Sequence, residues 1–260
     1  MRVRMFVGMT VEWLTAFVDF PPRCFDDGVR FWCAVTASAL SPSRGDNSEF
    51  ATLLPATGDA YLRVQRVGDG GCGRVHIDLH VERDGILERV AGAQRIGANL
   101  VPASSYSMTS PAGLAFCFVT HHGESQRPEP TICGTHRELV DQICVDVPAR
   151  HFEVECAFWS VLTGWELRNS AMAEFAYLER PGAMPLRVLL QRLGHDDPSV
   201  SARAHLDVAC GDDVMNAVHR HVQLGATVIR VEKFWTTMCD LTGMLYCLTS
   251  RDPDTGVRSA

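Results

Sequence analysis

Val18-Asp19-Phe20-Pro21-Pro22-Arg23-Cys24-Phe25 decides the fold, because it returns later in the chain as Val145-Asp146-Val147-Pro148-Ala149-Arg150-His151-Phe152. The match runs on without a gap. Phe31-Trp32 falls on Phe158-Trp159 and Thr36 on Thr163, at a constant offset of 127. Eight identities in about twenty positions, a Phe-Trp pair among them, mark an internal repeat. The echo continues in order. Glu49-Phe50-Ala51 returns as Glu174-Phe175-Ala176, Leu62-Arg63-Val64 as Leu186-Arg187-Val188, and Gln65-Arg66 as Gln191-Arg192. His76-Ile77-Asp78-Leu79 returns as His205-Leu206-Asp207-Val208, and Gly113 with Phe116-Cys117 as Gly243 with Tyr246-Cys247. One module of about 110 residues has been used twice, over 11–120 and 139–254. The polar, proline-containing stretch 121–138 reads as the linker.

Periodicity predicts the elements within a module. Residues 13–20 are an apolar run stopped by Pro21-Pro22, hence a strand. Residues 23–35 carry apolar or aromatic side chains at 25, 29, 32, 33 and 35, an amphipathic helix whose Phe25 and Trp32 face the sheet. Strands follow at 50–54, 60–67 and 75–81, then a helix over 84–95 stopped by Gly97, then strands near 99–102 and 114–119. The second module places its helices at 153–162 and 212–223. The order is βαβββ twice per module, an α+β class.

Composition narrows the function. Of the 260 residues 46 % are apolar and 21 % charged, an ordinary globular balance. No run of about 18 apolar residues occurs, so no membrane partner is expected. The net charge of −7 and the lack of any basic cluster exclude a nucleic-acid footprint. Lys233 is the only lysine, and the arginines are spread along the whole chain. The ten cysteines form no CxxC pair and read as free thiols of a reducing cytoplasm. Residues 1–9 lack the apolar core of a signal peptide, which agrees with a cytoplasmic location. The absence of GxSxG, Walker, GxGxxG and HExxH motifs argues against serine-hydrolase or nucleotide-fuelled chemistry. A monomer and a homodimer both remain open.

The opening "VDxPxRxF…FW…T", the "HLD" strand before a helix ending in "GA", and the closing "G-x-x-[FY]-C" strand resemble the vicinal oxygen chelate superfamily of glyoxalases, bleomycin resistance proteins and dioxygenases. The closing Tyr246-Cys247-Leu248-Thr249-Ser250-Arg251-Asp252-Pro253 resembles its glyoxalase-like branch. The resemblance implies two tandem modules of paired βαβββ units whose curved mixed sheets enclose a cleft. In metal-dependent members the cleft holds a divalent metal ion that chelates vicinal oxygens of the substrate. The implied ligands are a His or Gln on the first strand, the His of the "HxD" strand and a Glu on the closing strand. Those positions hold Thr15 and Gln142, His76 and His205, and Cys117 and Cys247. Glu is missing twice, so the hard-ligand set is incomplete in both modules. Gln142 and His205 are the metal candidates, with Cys247 as the third donor of a softer zinc site; a cleft without metal is the reading carried forward.

His76 and His205 are the catalytic candidates, as ligands or as a general base. Asp78 and Asp207 share the face of those histidines, two residues on along a strand. Arg63, Gln65, Arg187 and Gln191 are substrate-binding candidates, the arginines for a carboxylate or phosphate. Salt bridges from Arg63 to Glu49 and from Arg187 to Glu174 are the competing expectation. Tyr106 and Trp235 precede the closing strands and are candidates to stack on a ligand. Cys117 and Cys247 read as core packing. His121-His122 and the His219, His221 pair are discounted as metal sites, the latter because i, i+2 side chains diverge on a helix. The leading expectation is a glyoxalase-like protein that binds a small molecule. One alternative is a metal-dependent lyase, isomerase or ring-cleaving dioxygenase acting on vicinal oxygens; another is an antibiotic-sequestering resistance protein.

Overall fold

The two halves of the repeat build two mixed sheets, one of eight and one of nine strands. The computed structural model describes residues 10–68, 73–102, 104 and 106–258. The segment read for targeting, residues 1–9, and Cys72 lie outside them. The first sheet comprises β1 (Trp13–Phe20), β2 (Ala39–Leu40), β3 (Phe50–Leu54), β4 (Leu62–Arg66), β5 (Arg74–Val81), β6 (Asn99–Leu100), β7 (Ser107–Thr109) and β8 (Ala115–Thr120), with helices α1 (Phe25–Thr36) and α2 (Ile86–Arg95). The second comprises β10 (His136–Val147), β11 (Glu166–Asn169), β12 (Phe175–Glu179), β13 (Arg187–Arg192), β14 (Arg203–Ala209), β15 (Thr227–Val231), β16 (Trp235–Cys239) and β17 (Leu245–Thr249), with α3 (Phe152–Thr163) and α4 (Val214–Gln223). Strand β9 (Thr131–Cys133) pairs with the start of β10, so part of the expected linker is a hairpin and the second module's first strand begins at His136. The sequence pattern hides this because β9 is three residues long and carries no alternation.

Strand order is β2-β3-β4-β1-β5-β8-β7-β6, and β11-β12-β13-β10-β14-β17-β16-β15 in the second sheet. Each sheet is two βαβββ units joined through one antiparallel seam, β1 with β5 and β10 with β14. Flanking pairs β1/β4, β5/β8, β10/β13 and β14/β17 are parallel. Strand alternation then divides the side chains. Leu14, Ala16, Val18, Phe20, Ile77 and Leu79 point to the helix side and are essentially buried. Thr15, Phe17, Asp19, His76, Asp78 and His80 point to the other, the polar floor of a cleft.

The helices do more than cover their own sheet. On α1, Phe25 meets Phe20 of its own module, whereas Trp32 packs on Tyr246 of the second, with ring centroids 5.3 Å apart. The Trp32 indole donates to Asp240 Oδ2 at 3.0 Å. Helix α3 reciprocates, with Trp159 on Phe116 of the first module. The core is accordingly one cluster that runs through both modules. No described helix is long and apolar enough to cross a membrane.

Candidate functional site

Register places the candidates of the second module on one floor. Gln142 faces Arg187 and Asp207 across its neighbouring strands; Cys144 faces His205; Asp146 faces Gln191; and Asp207 faces Cys247. All of this floor except Asp146, with Phe175, Tyr177 and Trp235 as walls, bounds a pocket of about 390 Å³. Gln142 is engaged at both ends of its amide, donating to Asp207 Oδ2 and accepting from Arg187 Nε at 2.6 Å. The Arg187 guanidinium lies 5.0 Å from the Tyr177 ring centroid. His205 sits between two aspartates, Nδ1 3.3 Å from Asp146 and Nε2 3.3 Å from Asp207. Cys247 Sγ approaches the same Nε2 at 3.6 Å. Burial works against the His205 cation, but the neighbouring Cys144, Asp146 and Cys247 outweigh it and hold its pKa well above the ordinary value. Asp146 is held below the usual carboxylate range by His205 and Arg203 despite its burial.

The first module repeats part of this floor and closes it. Asp19 binds His76 Nδ1 at 2.9 Å, and His76 stacks on Phe17 at 4.8 Å. Burial opposes the His76 cation, yet the Asp19 hydrogen bond prevails and raises its pKa. Thr15, at the position of Gln142, bonds His80 at 2.8 Å. The connector then folds back over the cleft. Glu124 Oε1 lies 3.6 Å from His80 Nδ1 and 4.0 Å from Arg63. Asp59 anchors the strap by accepting the backbone N–H groups of Ser125 and Gln126 at 2.7 and 2.8 Å. Between the modules, a cavity of about 880 Å³ is lined by both His–Asp pairs, Asp19–His76 and Asp146–His205, and reaches Cys247 and Trp235.

Two expectations about the arginines need correction. Identity aligned Arg63 with Arg187, but Arg63 pairs with Phe17 and Arg187 with Gln142, so Leu189 occupies the position of Arg63. Backbone pairing, not the local Leu-Arg-Val match, fixes equivalence. The salt bridges to Glu49 and Glu174 are not formed: Arg63 meets Glu124, and Arg187 meets the neutral Gln142. Gln65 lies opposite Asp19 on the first floor, and Gln191 and Trp235 line the second pocket. Tyr106 is 46 % exposed in the first module and lines neither cavity. Sequence reading missed Arg251, whose guanidinium pairs with buried Asp141 and lies 3.8 Å from Asp207. It also missed Arg258, stacked on Phe234 at 3.7 Å. Both come from the tail after the last strand, where no periodicity marks them.

His205, Asp207 and Cys247 place ligand atoms within 4.8 Å of one another, as do His76, Asp78 and Cys117. The donors present do not fit the hard dication that the fold implies. The Gln142 oxygen is already taken by Arg187, the closing carboxylate is a thiol, and the Arg251 guanidinium stands beside Asp207.

Paired βαβββ units in tandem, with polar clefts on the open faces of the sheets, define the vicinal oxygen chelate class. The chain belongs to the glyoxalase-like domain family, whose sequence profile matches residues 17–119 and 142–249. No curated protein matches it. Among solved structures, the Mn(II)-bound glyoxalase from Novosphingobium aromaticivorans is similar, with a TM-score of 0.61 and 14 % identity, over 96 % of this chain and 85 % of that one. So is the 2,2',3-trihydroxybiphenyl 1,2-dioxygenase from dibenzofuran-degrading Sphingomonas wittichii strain RW1, with a TM-score of 0.56 and 12 % identity, over 92 % and 90 %. An extradiol ring-cleaving dioxygenase from B. fuscum gives a TM-score of 0.58 and 12 % identity, over 99 % and 78 %. At these identities the likeness is one of fold.

Proposed function

We propose that the protein binds a small planar organic acid in the cleft of the second module, without a hard metal ion. One observation carries this reading: Arg187 points its guanidinium into an aromatic-walled pocket, and its hydrogen-bond partner there is an amide. A cleft-facing guanidinium in the first module, Arg63, is instead met by the connector's own Glu124. A ligand carboxylate would fill for Arg187 the role that Glu124 fills for Arg63, with charge-assisted bonds worth more than neutral ones. Phe175, Tyr177 and Trp235 would take the flat body of the ligand.

Calorimetric titration of a panel of aromatic carboxylates and their neutral amides tests this. The acids should bind and the amides should not, and Arg187→Gln should weaken acid binding by about tenfold or more. Equal affinity in the variant would sink the proposal. Metal analysis of protein purified without a His tag provides an independent check. One divalent ion per module, bound at His76 or His205, would overturn the metal-free reading in favour of a metal-dependent lyase, isomerase or dioxygenase.

A further inference from the structure

The chain leaves the last strand of each module across that module's own cleft, and the two exits carry opposite charge. After β8 the strap brings Glu124 to Arg63 and His80. After β17 the tail brings guanidinium groups instead: Arg251 and Arg258 both line the 390 Å³ pocket of the second module.

The tail is built to hold that position. Arg251 anchors inward on buried Asp141, and its carbonyl accepts from the Gly211 N–H at 2.7 Å. Asp252 then closes a turn. Its carboxylate accepts the backbone N–H of Thr255 at 2.8 Å, and its own N–H donates to the Val257 carbonyl at 2.8 Å. Arg137 grips both carboxylate oxygens of Asp254, at 2.6 and 2.8 Å, and Arg127 donates to the carbonyls of Pro253 and Asp254. Gly256 turns at φ 71°, where an added Cβ would stand 3.3 Å from Arg180 and Asp141. The chain thereby returns to an antiparallel bridge between Arg251 and Arg258. Arg258 ends at the rim of the pocket, 3.7 Å from the Phe234 ring centroid, and the Phe234 carbonyl is tied to the tail by the Ser250 N–H at 3.0 Å.

The three guanidiniums of the lining differ in what they meet. Arg251 is spent on Asp141 and stands 3.8 Å from Asp207, the one carboxylate in the lining. Arg187 meets the Gln142 amide and the Tyr177 ring, and Arg258 meets the Phe234 ring. Among the described residues neither of these two has a carboxylate partner. A ring face holds a guanidinium without neutralising it and leaves its N–H edge free for a pair of oxygens. Lys233, 4.9 Å from the same Phe234 ring, adds to the positive field outside the lining. On the tail's own wall Ser250 Oγ is a buried hydroxyl with no hydrogen-bond partner.

We propose that the second cleft takes a planar dicarboxylic acid, with one carboxylate on Arg187 at the floor and the other on Arg258 at the rim. This rests on the binding reading above and narrows its ligand class. Arg187 selects an acid; Arg258 selects an acid that carries a second carboxylate at its outer end.

Calorimetric titration with the three benzenedicarboxylates and their mono-amides tests this at pH 7.5, where every carboxyl is ionised. The mono-amide keeps the size of the diacid and one carboxylate, so the affinity ratio of the two reads the second contact. Two equivalent carboxylates alone give a ratio of about two. At low salt at least one diacid should exceed its mono-amide by about fivefold or more. Because Arg258 is exposed, that preference should shrink towards about 0.5 M salt. In Arg258→Gln the ratio should fall to about two or less, and in Arg258→Glu the diacid should bind more weakly than its mono-amide. Arg187→Gln should weaken both ligands together. A ratio of about two or less for every diacid, or a ratio that survives Arg258→Gln, would overturn the proposal. Mono-amides that bind and are lost in Arg187→Gln would then leave the binding reading standing, whereas failure of every acid to bind would sink both.

Discussion

Asp78 is buried in the floor of the first cleft, opposite Thr15, and its Oδ1 has no hydrogen-bond partner among the described residues. Burial lifts its carboxyl to about 6, with His76 and Arg63 pulling the other way. The folded chain therefore keeps a proton that the unfolded chain releases near pH 4. Between those values the native state binds more protons, so the contribution of Asp78 to stability falls as pH rises. Asp78→Asn keeps the shape and removes the charge. It should raise unfolding free energy by about 1–3 kcal/mol at pH 7 and leave it nearly unchanged at pH 3.5, as read by urea titration. An equal effect at both pH values would exclude buried charge as the cause.

At the scale of elements, the two leading helices solve the same packing problem differently. In α1, Gly28 lies against Phe20, where an added Cβ would stand 2.6 Å from the ring. In α3 the same two positions hold Glu155 and Val147: the smaller strand residue admits a longer helix residue. Glu155 then accepts from Trp159 Nε1 at 2.7 Å and from the Ala112 backbone at 2.9 Å. The helix ends diverge too. Gly164 closes α3 in the left-handed region at φ 73°, a conformation that costs glycine little. Ala37 closes α1 in the same region at φ 48° and carries the steric cost of its Cβ. Ala37→Gly should therefore raise stability by about 1 kcal/mol, and Gly164→Ala should lower it by a similar amount, both measured as shifts in denaturant midpoint at constant slope. The helices and long strands were legible because Pro21, Phe31-Trp32 and the period-two runs act within a few residues. The equivalence of Arg63 and Arg187 was misread because register depends on pairing across strands, which local identity does not encode. The contact of Cys247 with His205 was hidden for a related reason, since it spans two strands far apart in sequence.

Across the whole molecule, Glu138 fastens one half of the chain to the other. It is 1 % exposed and accepts from His136 at 2.6 Å, His221 at 3.0 Å and Arg220 at 2.7 Å. Arg220 also donates to the carbonyls of Ala34 and Val35 at the end of α1, which carries the network into the first module. Burial alone would raise the Glu138 carboxyl, but His221, Arg220 and His136 bring it below its ordinary value. A depressed carboxylate contributes stability above its unfolded pKa of about 4.3 and loses it as pH falls through the folded value. Glu138→Gln should cost about 3–5 kcal/mol at neutral pH, with the gap to the parent narrowing below pH 4, and calorimetry over that range would show it. A constant gap would mean that the residue acts through shape instead. None of this could be read from the sequence, where His136 lay in an expected linker and His221 was weighed only as half of a metal pair with His219 and discounted because the two side chains diverge on a helix. The strap over the first cleft has a consequence of a different kind. Because Glu124 belongs to neither repeat but occupies one of them, the halves are no longer interchangeable parts. A circular permutation that cut the chain at the strap, or a graft that reversed the order of the modules, would leave Arg63 and His80 facing an empty floor. Ancestry is shared by the two clefts; their present occupancy is set by which one the chain happens to leave through.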